Sequence, residues 1–323
     1  MVSIQEREIK DKKYTYLVKS IRLANGKGKT IEKMIDKKEL KMNIKKLEEK
    51  YKEYFMEKEE NLNASYAAKN YQKNHIFSAK EIEKIEIMKT NYRYLLRKLD
   101  KATKKDVFDR FTVNFTYNSN AIEGNSLTLK DVNIIMFESG EIKTKDPREI
   151  YETRNSRELL NLILKKQMKI IEKDIIKMHK ILMRDIDERL GYKKVPNIIL
   201  GNVGEISTTK PENVEKEMKE LISWYNNEIK TNHPLQVASI FHGKFEKIHP
   251  FADGNGRVGR FIINSILVNN GYPPLIIRKT LRESYISALQ AFDNKHKDNL
   301  ERFMLEKFKD TYRKFFEVYI KYI

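Results

Sequence analysis

Apolar residues along this chain follow two different spacings. Between residues 12 and 38, in KYTYLVKSIRLANGKGKTIEKMIDKK, they alternate with polar ones around Asn25-Gly26-Lys27-Gly28. That period predicts two strands joined by a glycine-containing hairpin turn. From Leu40 to about Tyr71 the spacing lengthens to three and four, with Leu40, Ile44, Leu47, Tyr51 and Tyr54 on one stripe, and predicts a helix. Ser78-Ala79-Lys80-Glu81 reads as a capping box ahead of a second helix, whose apolar set includes Ile82, Ile85, Met88 and Leu95. Helical spacing continues beyond Lys105, through Pro147 to Met183, and again from Thr280 to the end. Two stretches interrupt it. VPNIILGNVGEISTTKPENV sets β-branched residues around Gly201 and Gly204 and predicts a β-hairpin between helices; IHPFADGNGRVGR stands directly before an amphipathic helix, FIINSILVNN.

A chain of 323 residues can form two domains or one large one with an appendage. With 12 Gly and 7 Pro it suits a helix-rich globular protein. Cysteine is absent, which excludes disulfides, thiolate nucleophiles, zinc ribbons and iron–sulfur clusters. Any chemistry must therefore use His, carboxylates, hydroxyls or a hard metal ion. The formal charge is +18, and residues 1–105 carry 28 basic against 16 acidic side chains, the rest 36 against 30. Two thirds of the excess thus lies in the first third. It suits a polyanionic partner, or a lysine-rich solvated surface, and both readings stay open. No apolar run reaches the ~20 residues that span a bilayer, and the N-terminus lacks the apolar core of a signal peptide, so a cytoplasmic protein without membrane contact is expected. Trp224 and most tyrosines read as core or rim packing.

The glycine-rich segment carries the chemistry. Backbone amides of Gly254, Asn255 and Gly256 at a helix start would point at an anion, because the first turn leaves N–H groups unpaired at the positive end of the dipole. Arg257 and Arg260 add forked donors suited to phosphate oxygens. Asp253 can hold a Mg²⁺ that bridges phosphates, and His249 has the side chain suited to a general base near neutrality. Within twelve residues this describes a nucleotide-triphosphate site with its own base. It is neither a Walker loop nor a Rossmann fingerprint.

HPFADGNGRVGR, residues 249–260, matches the Fic motif HPFx[DE]GNGRxxR at every defined position. The chain resembles the Fic (Fido) family over roughly residues 106 to 310, including the helix leading into the motif, the two after it, and the hairpin at 195–208 with its following helix. The resemblance implies a mainly α Fic-type helical bundle with an inserted β-hairpin flap, preceded by a small β-hairpin and helices. Two regions are expected: a basic N-terminal region, 1–105, and a catalytic domain, 106–323. The implied activity is transfer of AMP from ATP, with Mg²⁺ or Mn²⁺, to a Ser, Thr or Tyr hydroxyl of a target protein. His249 would accept the hydroxyl proton, Asp253 would hold the metal, and Gly254, Asn255 and Gly256 would form the anion hole. Arg257 would contact the β- and γ-phosphates and Arg260 the γ-phosphate.

Ser119-Asn120-Ala121-Ile122-Glu123-Gly124 fits the family's inhibitory motif [ST]xxxE[GN], near 117–124. The resemblance is to the autoinhibited subclass whose inhibitory helix precedes the catalytic core. Glu123 is expected to pair bidentately with Arg260 and remove the donor that the γ-phosphate needs. The same glutamate can orient water, so de-AMPylation is a second implied activity. Ile198, Ile199, Leu200, Ile206, Ser207 and Thr208 would form the flap that adds a target strand. Its anchoring is left open, because Lys194 stands where relatives commonly carry Arg. Asn264 and Tyr285 lie where the family lines its adenine pocket, with core packing as the competing reading. Self-modification and a homodimer stay open. The alternative function is a nucleic-acid-binding or adaptor protein led by residues 1–105, with the Fic core as regulator.

Overall fold

A computed structural model describes residues 2–23, 26–36, 38–138, 146–201 and 204–320, without the side chains of 198–201, 204–207 and 320. Asn25 of the expected hairpin turn lies outside the described residues. The chain forms two compact units, residues 1–91 and 92–323.

In the first unit, β1 (Val2–Ile9), β2 (Lys12–Arg22) and β3 (Gly28–Ile35) form an antiparallel sheet in that order. The sequence pattern predicts two strands. The third, β1, alternates charge with Val2, Ile4 and Ile9 and gains its place by pairing with β2, Val2 opposite Lys19 and Ile9 opposite Lys12. One sheet face is apolar: Leu17, Ile21, Ile31 and Ile35 pack with Leu47 of α1 (Ile44–Lys50) and Phe55 of α2 (Lys52–Asn70). Two lysines share that face, since strand residues two apart point the same way. Lys19 pairs with Glu59 at 2.9 Å over the Phe55 ring, and Lys33 lies over the rings of Tyr51 and Tyr54. Some of the basic excess of this region is thus structural, with apolar stems on the sheet and charged heads on carboxylates or rings. α3 (Ala79–Lys98) starts after Ser78, as its capping pattern predicts.

The second unit is helical. α4 (Lys101–Ile122) is capped by Asp100, whose side chain accepts from Ala102 and Thr103, and the boundary expected at residue 105 falls inside this helix. There follow α5 (Leu129–Phe137), behind a Thr128/Asp131 capping box, α6 (Pro147–Leu164) and α7 (Glu172–Met183). A hairpin, β4 (Ile198–Gly201) and β5 (Gly204–Ser207), precedes α8 (Pro211–Glu228). α9 (Pro234–Ile248) and α10 (Asn255–Asn269) are the most deeply buried pair and are joined by residues 249–254; α11 (Arg282–Asp293) and α12 (Lys297–Tyr312) cover them. Phe111, Phe241, Phe245, Phe261 and Phe308 are fully buried in this unit. Among the described residues no helix is long and apolar enough to cross a membrane.

Candidate active site

The loop between α9 and α10 is fixed at both ends. His249 ends α9 in the left-handed region, φ 51° and ψ 61°, with its N–H donating to the Phe245 carbonyl. Non-glycine residues adopt that conformation at an energetic cost and only where the surroundings impose it. Here the anchor is Phe251, fully buried and stacked on the His179 ring at 4.0 Å. Asn255 clamps the turn from the other side: its Oδ1 accepts from the Phe251 N–H at 2.9 Å and its Nδ2 donates to the Phe251 carbonyl at 2.8 Å. The Asn255 side chain is thus a loop clamp, and only its backbone amide is left to face an anion. Gly254 caps α10 with φ 80°, which glycine adopts without strain.

His249 presents an imidazole whose side chain is 20% exposed. Its Nδ1 lies 3.3 Å from the Glu246 carbonyl, which holds the proton there and leaves Nε2 free to accept one. Burial pulls this histidine down to about 4, so it is neutral at physiological pH. Asp253 is half-buried. Burial pushes its carboxyl up, but Arg257, the Gly254 N–H at 2.6 Å and Arg148 at 2.7 Å outweigh burial and hold it below the usual carboxylate range.

The two motif arginines are both buried and both engaged. Arg260 Nε donates to Ser119 Oγ at 3.0 Å, and Nη2 donates to the Ser119 carbonyl at 2.8 Å and to Glu123 Oε1 at 2.7 Å. The structure therefore brings Ser119, Glu123 and Arg260 together across 141 residues of chain. The expected bidentate Glu123–Arg260 pair is corrected to a single bond: Ser119 holds Nε and shares Nη2, and Glu123 reaches Nη2 alone. Nη1 of Arg260 is buried without a hydrogen-bond partner. Gly256 matters here by its lack of a side chain, since a Cβ would run into the Glu123 carboxylate. Gly124, which follows, has φ 101°.

Arg257 points away from Arg260. Its Nη1 donates to Glu152 Oε1 at 2.7 Å and its Nη2 lies 3.6 Å from Asp253 Oδ1. Arg148 Nε reaches the same Glu152 oxygen at 3.4 Å. Arg148 and Glu152 of α6 thus close a ring of four charges with Arg257 and Asp253. Sequence reasoning missed both, because REIYE, residues 148–152, on an ordinary amphipathic helix carries no mark of it.

Two other expected residues adjoin Arg260: its guanidinium lies 6.0 Å from the centre of the Tyr285 ring, and Asn264 Nδ2 is 3.4 Å from its carbonyl. Asn264 is fully buried and grips the Leu275 backbone at both ends of its amide, Oδ1 accepting at 2.8 Å and Nδ2 donating at 3.1 Å. Tyr285 is buried with its hydroxyl 2.6 Å from His242 Nε2. Both side chains are buried within the helical unit. The flap backbone at Ile198, Ile199, Leu200, Ile206 and Ser207 is an antiparallel hairpin, with side chains outside the described residues. Its base is anchored by Lys193, the neighbour of Lys194: Nζ donates to Asn197 Oδ1 at 2.6 Å and to Thr208 Oγ1 at 2.7 Å, and Asn197 Nδ2 donates to the Phe251 carbonyl at 2.9 Å. Burial pulls Lys193 down to about 8.

Residues 169–267, which hold this loop and its two helices, match the model of the Fic/DOC family. These residues are a Fic domain. The chain is 31% identical over 183 residues to the protein adenylyltransferase fic-1 of Caenorhabditis elegans and 33% identical over 178 residues to the protein adenylyltransferase Fic of Drosophila erecta. Each match covers 54% of this chain and 35% or 36% of the relative, so the chain spans about a third of the length of the curated relatives it matches. The fold agrees with a Fic domain-containing signaling protein of Bacteroides thetaiotaomicron, TM-score 0.66 and 24% identity over 73% of this chain and 95% of that one. A Fic-1 fragment of C. elegans gives TM-score 0.64 and 24% identity over 76% of this chain and 71% of that one. The helical unit around the Fic domain is the Fic fold.

Proposed function

We propose that this chain is a protein adenylyltransferase that transfers AMP from ATP to a Ser, Thr or Tyr hydroxyl of a target protein and is held off at rest by Glu123. One observation carries the reading. A neutral, partly exposed His249 stands at the N-terminal end of α10, whose Arg260 is closed by Ser119 and Glu123. The relatives named protein adenylyltransferase support the enzyme over the nucleic-acid alternative.

In the reaction, His249 Nε2 takes the proton of the target hydroxyl as its oxygen attacks the α-phosphorus. The bond from that phosphorus to the bridging oxygen breaks and pyrophosphate leaves. The α10 amides and the arginines hold phosphate charge in a site they have already desolvated, so positioning and electrostatics supply most of the acceleration. Asp253 fits a metal that arrives with the nucleotide: it is a single carboxylate, and among the described residues no cluster of three or more His, Asp or Glu is placed to hold an ion alone. Mg²⁺ or Mn²⁺ there would neutralise phosphate charge. Arg257 and Arg260 must exchange Glu152 and Glu123 for phosphate oxygens before the triphosphate can seat. The flap, anchored through Lys193, would align the target backbone by strand addition. Glu123, its side chain 39% exposed, also stands where a carboxylate can orient water for removal of AMP.

The test uses labelled ATP with Mg²⁺ and the full chain. Glu123→Gly should label itself or a target in lysate, and His249→Ala in the same background should not. Equal labelling by both would sink the reading.

A further inference from the structure

Behind His249 the domain buries a carboxyl group that the transfer does not use. Glu246 lies on α9 between His242 and His249, and its side chain is 13% exposed. Its Oε2 is 4.0 Å from His249 Nδ1, and its Oε1 is 3.8 Å from His242 Nδ1. That Oε1 and that Nδ1 are both buried without a hydrogen-bond partner. Buried polar atoms left this way are rare in folded proteins, and where they occur they call for an explanation.

Room for the carboxyl comes from the facing helix. A Cβ at Gly259 would lie 2.5 Å from Glu246 Oε1 and 2.7 Å from His242 Nδ1. Glycine inside a helix costs about 1 kcal/mol relative to alanine, and Gly259 occupies one of the motif's undefined positions, so the phosphate chemistry does not ask for it. The space it leaves is filled by Glu246 and His242. The groups facing this carboxyl are His242 and His249 on its own helix, Arg260 from α10, Glu123 from the end of α4, and Tyr285 and Asp293 from α11; Lys193 acts on His249 from the flap base. Burial dominates over the attraction of Arg260 and pushes Glu246 up to about 8.

We infer that Glu246 is a positioning residue for His249: its backbone carbonyl holds the Nδ1 proton and keeps Nε2 turned to the substrate, and its carboxyl group, 4.0 Å from the same Nδ1 in the pocket that Gly259 leaves open, makes Nε2 a stronger base once ionised. The inference rests on His249 being the base of the proposed transfer. In that step the hydroxyl proton goes to Nε2, Nδ1 keeps its own, and the imidazolium charge faces Glu246. The carboxyl never touches the substrate.

Two readouts test this. In ¹⁵N-histidine-labelled full-length protein, assigned against His249→Ala, the His249 resonances should show an inflection near pH 8 that disappears in Glu246→Gln. In the Glu123→Gly background, kcat for AMP transfer should rise through a midpoint below that of the wild-type resonances, because a charge that raises Glu246 is gone, with the KM for ATP unchanged. Glu246→Gln should lose that rise and run roughly tenfold slower above it. Glu246→Leu, which fills the pocket without an ionisable group, gives the same comparison if the Gln variant melts early. If no AMP transfer is seen at all, the proposed function fails while the resonances still decide the role of Glu246. An inflection absent from the wild type, or retained in both variants, overturns the inference.

Discussion

The carboxylate of Glu123 lies 2.7 Å from Arg260 Nη2 and fills the space that a Cβ on Gly256 would occupy, so one side chain closes on both an arginine and a glycine at the start of α10. Ser119, one turn earlier on α4, completes the closure on the same guanidinium. Arg282 Nε donates to the Ile122 carbonyl at 2.8 Å and the Lys279 N–H donates to Asn118 Oδ1 at 2.9 Å, tying the end of α4 to the rest of the helical unit.

Removal of Glu123 should therefore release activity rather than unfold the protein. A charge-assisted bond contributes about 1.5–3 kcal/mol, so Glu123→Gly should raise the initial rate of AMP transfer roughly ten- to a hundredfold. The rate of pyrophosphate release measures this. A variant no faster than the wild type would dismiss Glu123 as the inhibitory group.

Arg148 stands on Asp253 Oδ2 at 2.7 Å with half its side chain exposed, where it competes with any cation for that oxygen. Exposed ion pairs contribute up to about 1 kcal/mol, so Arg148→Ala should tighten Mn²⁺ binding roughly two- to fivefold. Electron paramagnetic resonance, with a non-hydrolysable ATP analogue present, reads the free metal. Unchanged or weaker binding would refute the competition.

Acid should destabilise the domain well above the range in which carboxylates titrate. Burial lowers His179 to about 4, His242 to about 3 and His249 to about 4, from an ordinary 6.5. Below 6.5 the unfolded chain takes up these protons while the folded one does not, so stability falls as pH falls. Glu246, raised by burial, acts in the opposite sense: the folded chain keeps its proton up to about 8 while the unfolded chain loses it from 4.5 upward. Between 6.5 and 4.5 the three histidines outweigh it, and the net loss approaches roughly 3 kcal/mol per pH unit. Urea midpoints across this range should fall steadily with acidity, and Glu246→Gln should steepen the fall.

Asn264 serves as the control for roles assigned by position. Asn264→Ala strands the Leu275 N–H and carbonyl, at a cost of about 2–4 kcal/mol, and should lower the thermal midpoint. Nucleotide affinity, measured by calorimetry well below that midpoint, should stay within about twofold. A selective loss of ATP binding in a stably folded variant would restore the adenine-pocket role.

Much of the architecture was legible along the chain because it rests on short-range rules. The periods of two and of three to four gave β2, β3 and the long helices, and Gly254 before FIINSILVNN marked the start of α10. β1 escaped notice because its residues alternate charge and it becomes a strand only through its register with β2. Lys193 escaped because nothing local separates it from Lys194; only the folded loop turns one lysine onto Asn197 and Thr208. Arg148 and Glu152 lie on a helix whose pattern is ordinary, and they acquire meaning by facing Asp253 and Arg257.

The sequence by itself determined the reactive set: His249, Asp253, the glycines and two arginines lie within twelve residues at the start of a helix, so local spacing keeps them on one short stretch of chain. Tertiary structure decided what each group is free to do. It split Arg257 from Arg260 by offering them different carboxylates, gave the Asn255 side chain to the loop and Asn264 to the Leu275 backbone, and buried Glu246 behind the base. The arginines are divided by contacts made across more than a hundred residues, and even the shorter links of Asn255, Asn264 and Glu246 form only in the packed interior, where burial and competing partners set each group's charge and its freedom to move.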